Sequence, residues 1–102
     1  MKREIKQMLK KSETLVSQIS QEYMNLDMES DFSTDHHDTM LIQKDAAYQE
    51  LEDFRYLVEE KKTATAKDGK YYVDVFTKTL KYMKAVIRIQ EQVNKLPEMV
   101  FG

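Results

Sequence analysis

Residues 71–95 read YYVDVFTKTLKYMKAVIRIQEQVNK, and the fold class turns on whether they open as a strand or as a helix. Two signals compete. Asp68-Gly69, just upstream, is a strong hairpin turn, and Tyr71-Tyr72-Val73-Asp74-Val75-Phe76 has the β-branched and aromatic content of a strand. Against them, Tyr72, Phe76, Leu80, Met83, Val86, Ile87 and Val93 recur at helical spacing, and the pattern runs through residue 76 without a break. The helical reading prevails. It predicts a helix over 71–95, halted by Pro97 because the residue before a proline avoids helical angles. A face this broad suits a helix packed against two others.

Working back from this helix, Ala66-Lys67-Asp68-Gly69-Lys70 reads as a break, with Gly69 free to take the left-handed conformation that closes a preceding helix. That preceding helix is predicted over 39–65. Met40, Ala47, Leu51, Phe54 and Val58 form its narrow apolar stripe, flanked by Tyr48 and Leu57. Asp45, Glu50, Glu52, Arg55, Glu59 and Glu60 give it a solvated face, on which Arg55 and Glu59 are spaced to pair. Earlier still, Asp27 to Asp38 mixes acids with helix-capping residues and shows little periodicity. It reads as a loop in which Thr34, Asp35 or Asp38 caps the helix that follows. Residues 2–28 carry Ile5, Leu9, Val16, Ile19, Tyr23 and Leu26 on one face, widened by Met8 and Leu15 and interrupted by Ser12.

These elements predict one all-α domain over residues 1–102, an antiparallel up-down-up bundle of three long helices with an apolar tail at 97–102. Leu51, Phe54, Leu80 and Ile87 are expected in its core. Three such rods enclose a thin core, and self-association into a homo-oligomer would thicken it.

The composition narrows the chemistry. Charged residues make up 33% and the net charge is -2, so no global basic field holds a phosphate backbone and nucleic acid is disfavoured as a partner. Cysteine is absent, which removes disulfides, thiolate metal sites, Fe–S ligation and cysteine catalysis. Of the two glycines one is terminal, so a nucleotide-cradling loop is excluded. Lys10 and Lys11 fall where a secretory signal needs an apolar run, and no stretch has the length of a membrane span. The expected address is cytoplasmic, with no membrane and no cofactor.

Asp35-His36-His37-Asp38 has metal-ligand side chains, but adjacent histidines diverge on a helix or strand, so a polar capping segment is expected and no metal. Glu52-Asp53 and Glu59-Glu60 are carboxylate pairs on a solvated face, not acids opposed across a cleft, and no catalytic residue is expected. The seven methionines, Met24, Met28 and Met83 among them, read as core filler, with an adaptable partner groove as the sharper alternative.

Charge is segregated along the chain. Lys2 to Lys11 holds five basic residues and one acid, Ser20 to Asp38 six acids and no Lys or Arg, and Lys61 to Lys84 seven lysines and two acids. These patches either complement one another, within a chain or between copies, or dock a partner. The candidate partner surface is Lys70, Tyr71, Lys78, Lys81, Tyr82 and Lys84, joined by Met99 and Phe101 of the tail. Aromatic faces stack on bases while lysines track phosphates, which makes this strip the best nucleic-acid signal in the chain.

Lys44-Asp45 before Tyr48-Gln49, then Leu51-Glu52-Asp53-Phe54, Gly69-Lys70-Tyr71 opening a long helix, and Lys95-Leu96-Pro97-Glu98 together resemble the YlbF/YmcA family of small helical bacterial proteins. The resemblance runs from Gln43 onward. The acidic, His-containing segment departs from the family's spacing, and the cysteines of members that hold an Fe–S cluster have no counterpart. The resemblance implies a helical adaptor in a protein complex, linked in some members to control of RNA processing, competence and biofilm formation. It carries over no catalytic residue. Three functions follow as expectations: a non-enzymatic adaptor or regulator acting through protein contacts, a phage or mobile-element inhibitor that occludes a host enzyme, and an RNA-binding accessory protein using the Lys/Tyr strip.

Overall fold

The computed structural model describes residues 2–28 and 31–95, and the side chains of all of these except 31–34. Three helices follow in order: α1 (Arg3–Met24), α2 (Asp31–Arg55), continued by a π-helical turn (Tyr56–Glu60), and α3 (Ala66–Asn94). There is no strand among the described residues, so the Asp-Gly signal yields to the helical period. Each helix touches the other two, and α1 meets α3 most extensively. Side-chain contacts set the directions. Tyr23 meets His37 where α1 turns into α2, Phe54 stacks on Tyr72 where α2 turns into α3, and Gln90 reaches back to the end of α1. The topology is therefore up-down-up, with α2 antiparallel to both neighbours. The 29 residues of α3 alone make a rod of about 44 Å. The Cα radius of gyration is 17.1 Å, against about 13 Å for a compact globule of this length.

The apolar stripes become one core. Ile5, Leu9, Val16, Ile19 and Leu26 of the first segment, Met40, Ala47, Leu51, Phe54 and Val58 of the second, and Phe76, Leu80, Met83, Val86 and Ile87 of the third are all buried. Tyr23, Leu57 and Tyr72 pack against this core half-buried, with Met8 and Leu15 beside them. Val93 departs from expectation and stays 41% exposed. Ser12, which seemed to interrupt the stripe, sits fully inside it.

The boundaries differ from the sequence reading, each for a local reason. α1 ends at Met24, not at residue 28. The acidic segment is not a loop up to Asp38: α2 begins at Asp31, so positions 34, 35 and 38 lie within the helix and not at its start. A tertiary contact decides this. Tyr23 Oη lies 2.7 Å from His37 Nε2, docking the start of α2 onto the end of α1. Packing of this kind outweighs weak local propensity.

The second break falls at 61–65, upstream of the expected Ala66–Lys70, which instead form the first turn of α3. Thr65-Ala66-Lys67-Asp68 is a capping box. The Thr65 side chain accepts from the Asp68 amide at 3.2 Å, and Asp68 Oδ2 accepts from the Thr65 amide at 2.9 Å. The left-handed residue is Lys62, with φ 57°, and Gly69 has negative φ. Gly69 serves close approach instead: a Cβ there would overlap the Met8 thioether and lie 3.2 Å from Met8 Cβ. Arg55 does not pair with Glu59. It bonds Glu52 one turn back and crosses to Glu13 of α1 at 2.9 Å.

Candidate functional site

The chemistry-bearing clusters come first. His36 and His37, successive on α2, project about 100° apart. Both His37 ring nitrogens are engaged: Nε2 by the Tyr23 hydroxyl, and Nδ1 by Asp38 Oδ1 at 3.3 Å. The Tyr23 ring also carries Lys44 Nζ, 5.0 Å from its centroid. This makes the segment a helix-docking device. Among the described residues no group of three His, Asp or Glu side chains converges on a metal-sized site.

The carboxylates sort differently from their sequence pairing. Glu52 is held by Arg55, while Asp53 acts on Glu50, one turn earlier on the same flank of α2. Glu50 Oε2 is buried with no hydrogen-bond partner. Burial, and then the neighbouring Asp53 charge, push its pKa above the usual 4.5. Burial and the same carboxylates also raise the Tyr72 hydroxyl.

A raised carboxyl pKa means that the folded chain binds this proton more tightly than the unfolded chain does. Stability contributed by Glu50 is therefore present below the unfolded value and lost as pH rises through the folded one. Glu50→Gln is expected to melt higher than wild type at neutral pH, with the difference vanishing below the unfolded value of 4.5. Melting curves across pH check this, and an unchanged difference at all pH values would contradict the assignment.

The Lys/Tyr strip divides. Lys70, Lys81 and Lys84 are exposed and share an outer stripe of α3 with Arg88. Tyr71 and Tyr82 lie on the flank toward α2, about 100° around the helix from Lys70 and Lys81 respectively. Only Lys78 shares the tyrosine flank, and it is tied to Asp74 at 3.0 Å. Tyr71 is 59% exposed, and Tyr82 is half-buried against the core. Met83 is core, Met24 and Met28 are exposed, and Met99 and Phe101 fall outside the described residues.

The structure reveals a second seam on α3 that single-stripe reasoning missed. Tyr71, Val75, Tyr82 and Ile89 stand on one line, and Lys78, Ala85 and Val93 continue it in steps of four and three. That is coiled-coil spacing, repeated beside the seam that faces the core. Ile89 is 49% exposed. Ile42, 67% exposed, and Ala46 lie on the flank of α2 away from its α1-facing residues His37, Lys44 and Arg55. Together the two flanks form an α2–α3 face, which also carries Lys78 of α3 and the Glu50 and Asp53 carboxylates beside Tyr72.

Comparison with protein-family models, with curated proteins and with solved structures gave no match. No helix among the described residues is long and apolar enough to cross a membrane.

Proposed function

We propose that this chain is a helical adaptor that works through protein contacts on its α2–α3 face and performs no catalysis itself. The observation that carries this reading is the second seam of α3. Tyr71, Ile89 and Val93 are water-exposed at coiled-coil spacing along it, while Val75 and Tyr82 pack partly against the core, and an exposed apolar strip of this kind is the mark of an interaction surface. The split of the Lys/Tyr strip supports the same reading, because stacking on bases needs aromatic and basic groups side by side.

Two measurements test it. A photo-crosslinking side chain at Ile89 is expected to capture protein in the native cell, while the same group at Lys84 is not. The triple variant Lys78→Glu, Lys81→Glu, Lys84→Glu is expected to keep protein binding, with weak RNA retention before and after substitution at ~0.15 M salt, where charges act over only ~8 Å. Tight RNA binding by wild type that the triple variant abolishes would make the outer lysine stripe the functional surface instead.

A further inference from the structure

We propose that the α2–α3 face is covered by a second copy of this chain, packed antiparallel about a two-fold axis that passes beside Tyr82. The inference rests on reading that face as a protein-contact surface, and it names the occupant.

The first argument is the symmetry of the seam. Tyr82 stands midway between Tyr71 and Val93, and equally midway between Val75 and Ile89. Antiparallel pairing about Tyr82 therefore sets Tyr71 against the partner's Val93 and Val75 against the partner's Ile89. The long stem of Lys78 falls beside the partner's Ala85, the smallest side chain of the line. Apolar meets apolar everywhere on the seam except at Lys78, as a self-complementary two-fold contact allows. A parallel copy would set the charged Lys78 against its own counterpart, and a shifted copy loses these matches.

The second argument is charge. The topology sends the two charged segments to opposite ends of the rod. Lys61, Lys62, Lys67 and Lys70 lie at the end where α3 begins, beside Lys2 and Lys6 of α1, and outnumber Glu4, Glu59, Glu60 and Asp68 there. Glu22, Asp27, Asp35 and Asp38 lie at the other end, around the Tyr23–His37 contact. Within one chain these groups are separated by roughly 40 Å, far beyond the ~8 Å screening length, so they do not neutralise each other. An antiparallel copy lays each basic end beside an acidic end, twice per dimer. A parallel copy stacks like on like.

The third argument is size. A seam about 33 Å long and two helices, about 20 Å, wide projects on the order of 660 Å² per copy, close to the ~800 Å² per partner of stable complexes.

The absence of cysteine makes the test clean. The full chain should sediment at twice 12.1 kDa and dissociate on dilution. Ala85→Glu and Ile89→Glu, both at exposed positions, should weaken association by roughly 30-fold or more while keeping the helical spectrum. Lys81→Glu, on the outer stripe, should leave it unchanged. Tyr82→Cys should oxidise to a disulfide-linked dimer. Val75→Cys and Ile89→Cys chains should cross-link when mixed but not alone, which distinguishes antiparallel from parallel packing. A wild-type chain that stays monomeric at every concentration overturns the proposal, as does cross-linking of Val75→Cys with itself. If the chain is monomeric yet the crosslinker at Ile89 captures a different protein, the second copy is excluded and the adaptor reading stands. If it captures nothing, both fall.

Discussion

Phe54→Ala is expected to lower the stability of this chain by ~3–5 kcal/mol. Phe54 is fully buried, and its ring stacks on Tyr72 with centroids 4.7 Å apart and planes 11° from parallel. Tyr72 in turn lies 6.2 Å from Phe76, so the three rings form one column linking α2 to α3. Truncation removes the transfer free energy of a benzyl group and leaves a void that helices pinned on both sides cannot close. In a domain of this length each kcal/mol is worth roughly 4–8 °C in melting temperature, so the melt should fall by roughly 12 °C or more. Thermal and urea unfolding measure it. A variant that melts within a degree of wild type would place Phe54 outside the core.

Ser12→Ala is expected to act in the opposite direction, raising stability by about 1–2 kcal/mol. Ser12 is fully buried, and its hydroxyl has no hydrogen-bond partner. Other helical hydroxyls in the chain do find one. Thr14 bonds the Lys10 carbonyl, Thr77 that of Val73 and Thr79 that of Val75, each one turn back. Removing the Ser12 oxygen relieves the cost of an unpaired polar atom and adds a better helix former. Thr14→Ala, at an exposed site, serves as the control with a change near zero. A destabilised Ser12→Ala would show that the hydroxyl is bonded in solution.

What could be read from the sequence was periodicity, because the core demands it. Ile5, Leu9, Val16, Ile19, Met40, Leu51, Phe54 and Phe76 are buried as their spacing predicts. Helix ends were less legible, because they depend on single backbone events. Asp68 acts as the back-bonding member of a capping box, where composition suggested the first half of an Asp-Gly turn. The left-handed turn falls on Lys62, a residue type that gives no such signal. The candidate site was half legible. Tyr71, Lys78 and Tyr82 do share a flank, but Lys70, Lys81 and Lys84 face another way, since a residue's neighbour in sequence is not its neighbour on a helix. Ile42 and Ile89 lie off the single core-facing stripe of each helix, so core periodicity alone does not mark them. The step of four then three from Tyr71 to Ile89 is the sequence mark of that second stripe.

The Gln90 side chain accepts from the Asp27 amide at 2.8 Å and donates to the Asn25 carbonyl at 3.3 Å, closing a span of 63–65 residues. Together with the extensive contact between α1 and α3, this sets a timetable for the nascent chain. α1 leaves the ribosome first, yet its largest partner surface leaves last. Until Gln90 has emerged, Ile5, Leu9, Val16 and Ile19 lack the α3 part of their cover, and the growing chain is open to chaperone capture along α1. The bundle is thus completed only once α3 has left the ribosome, and until then α1 has only its smaller contact with α2 to dock against.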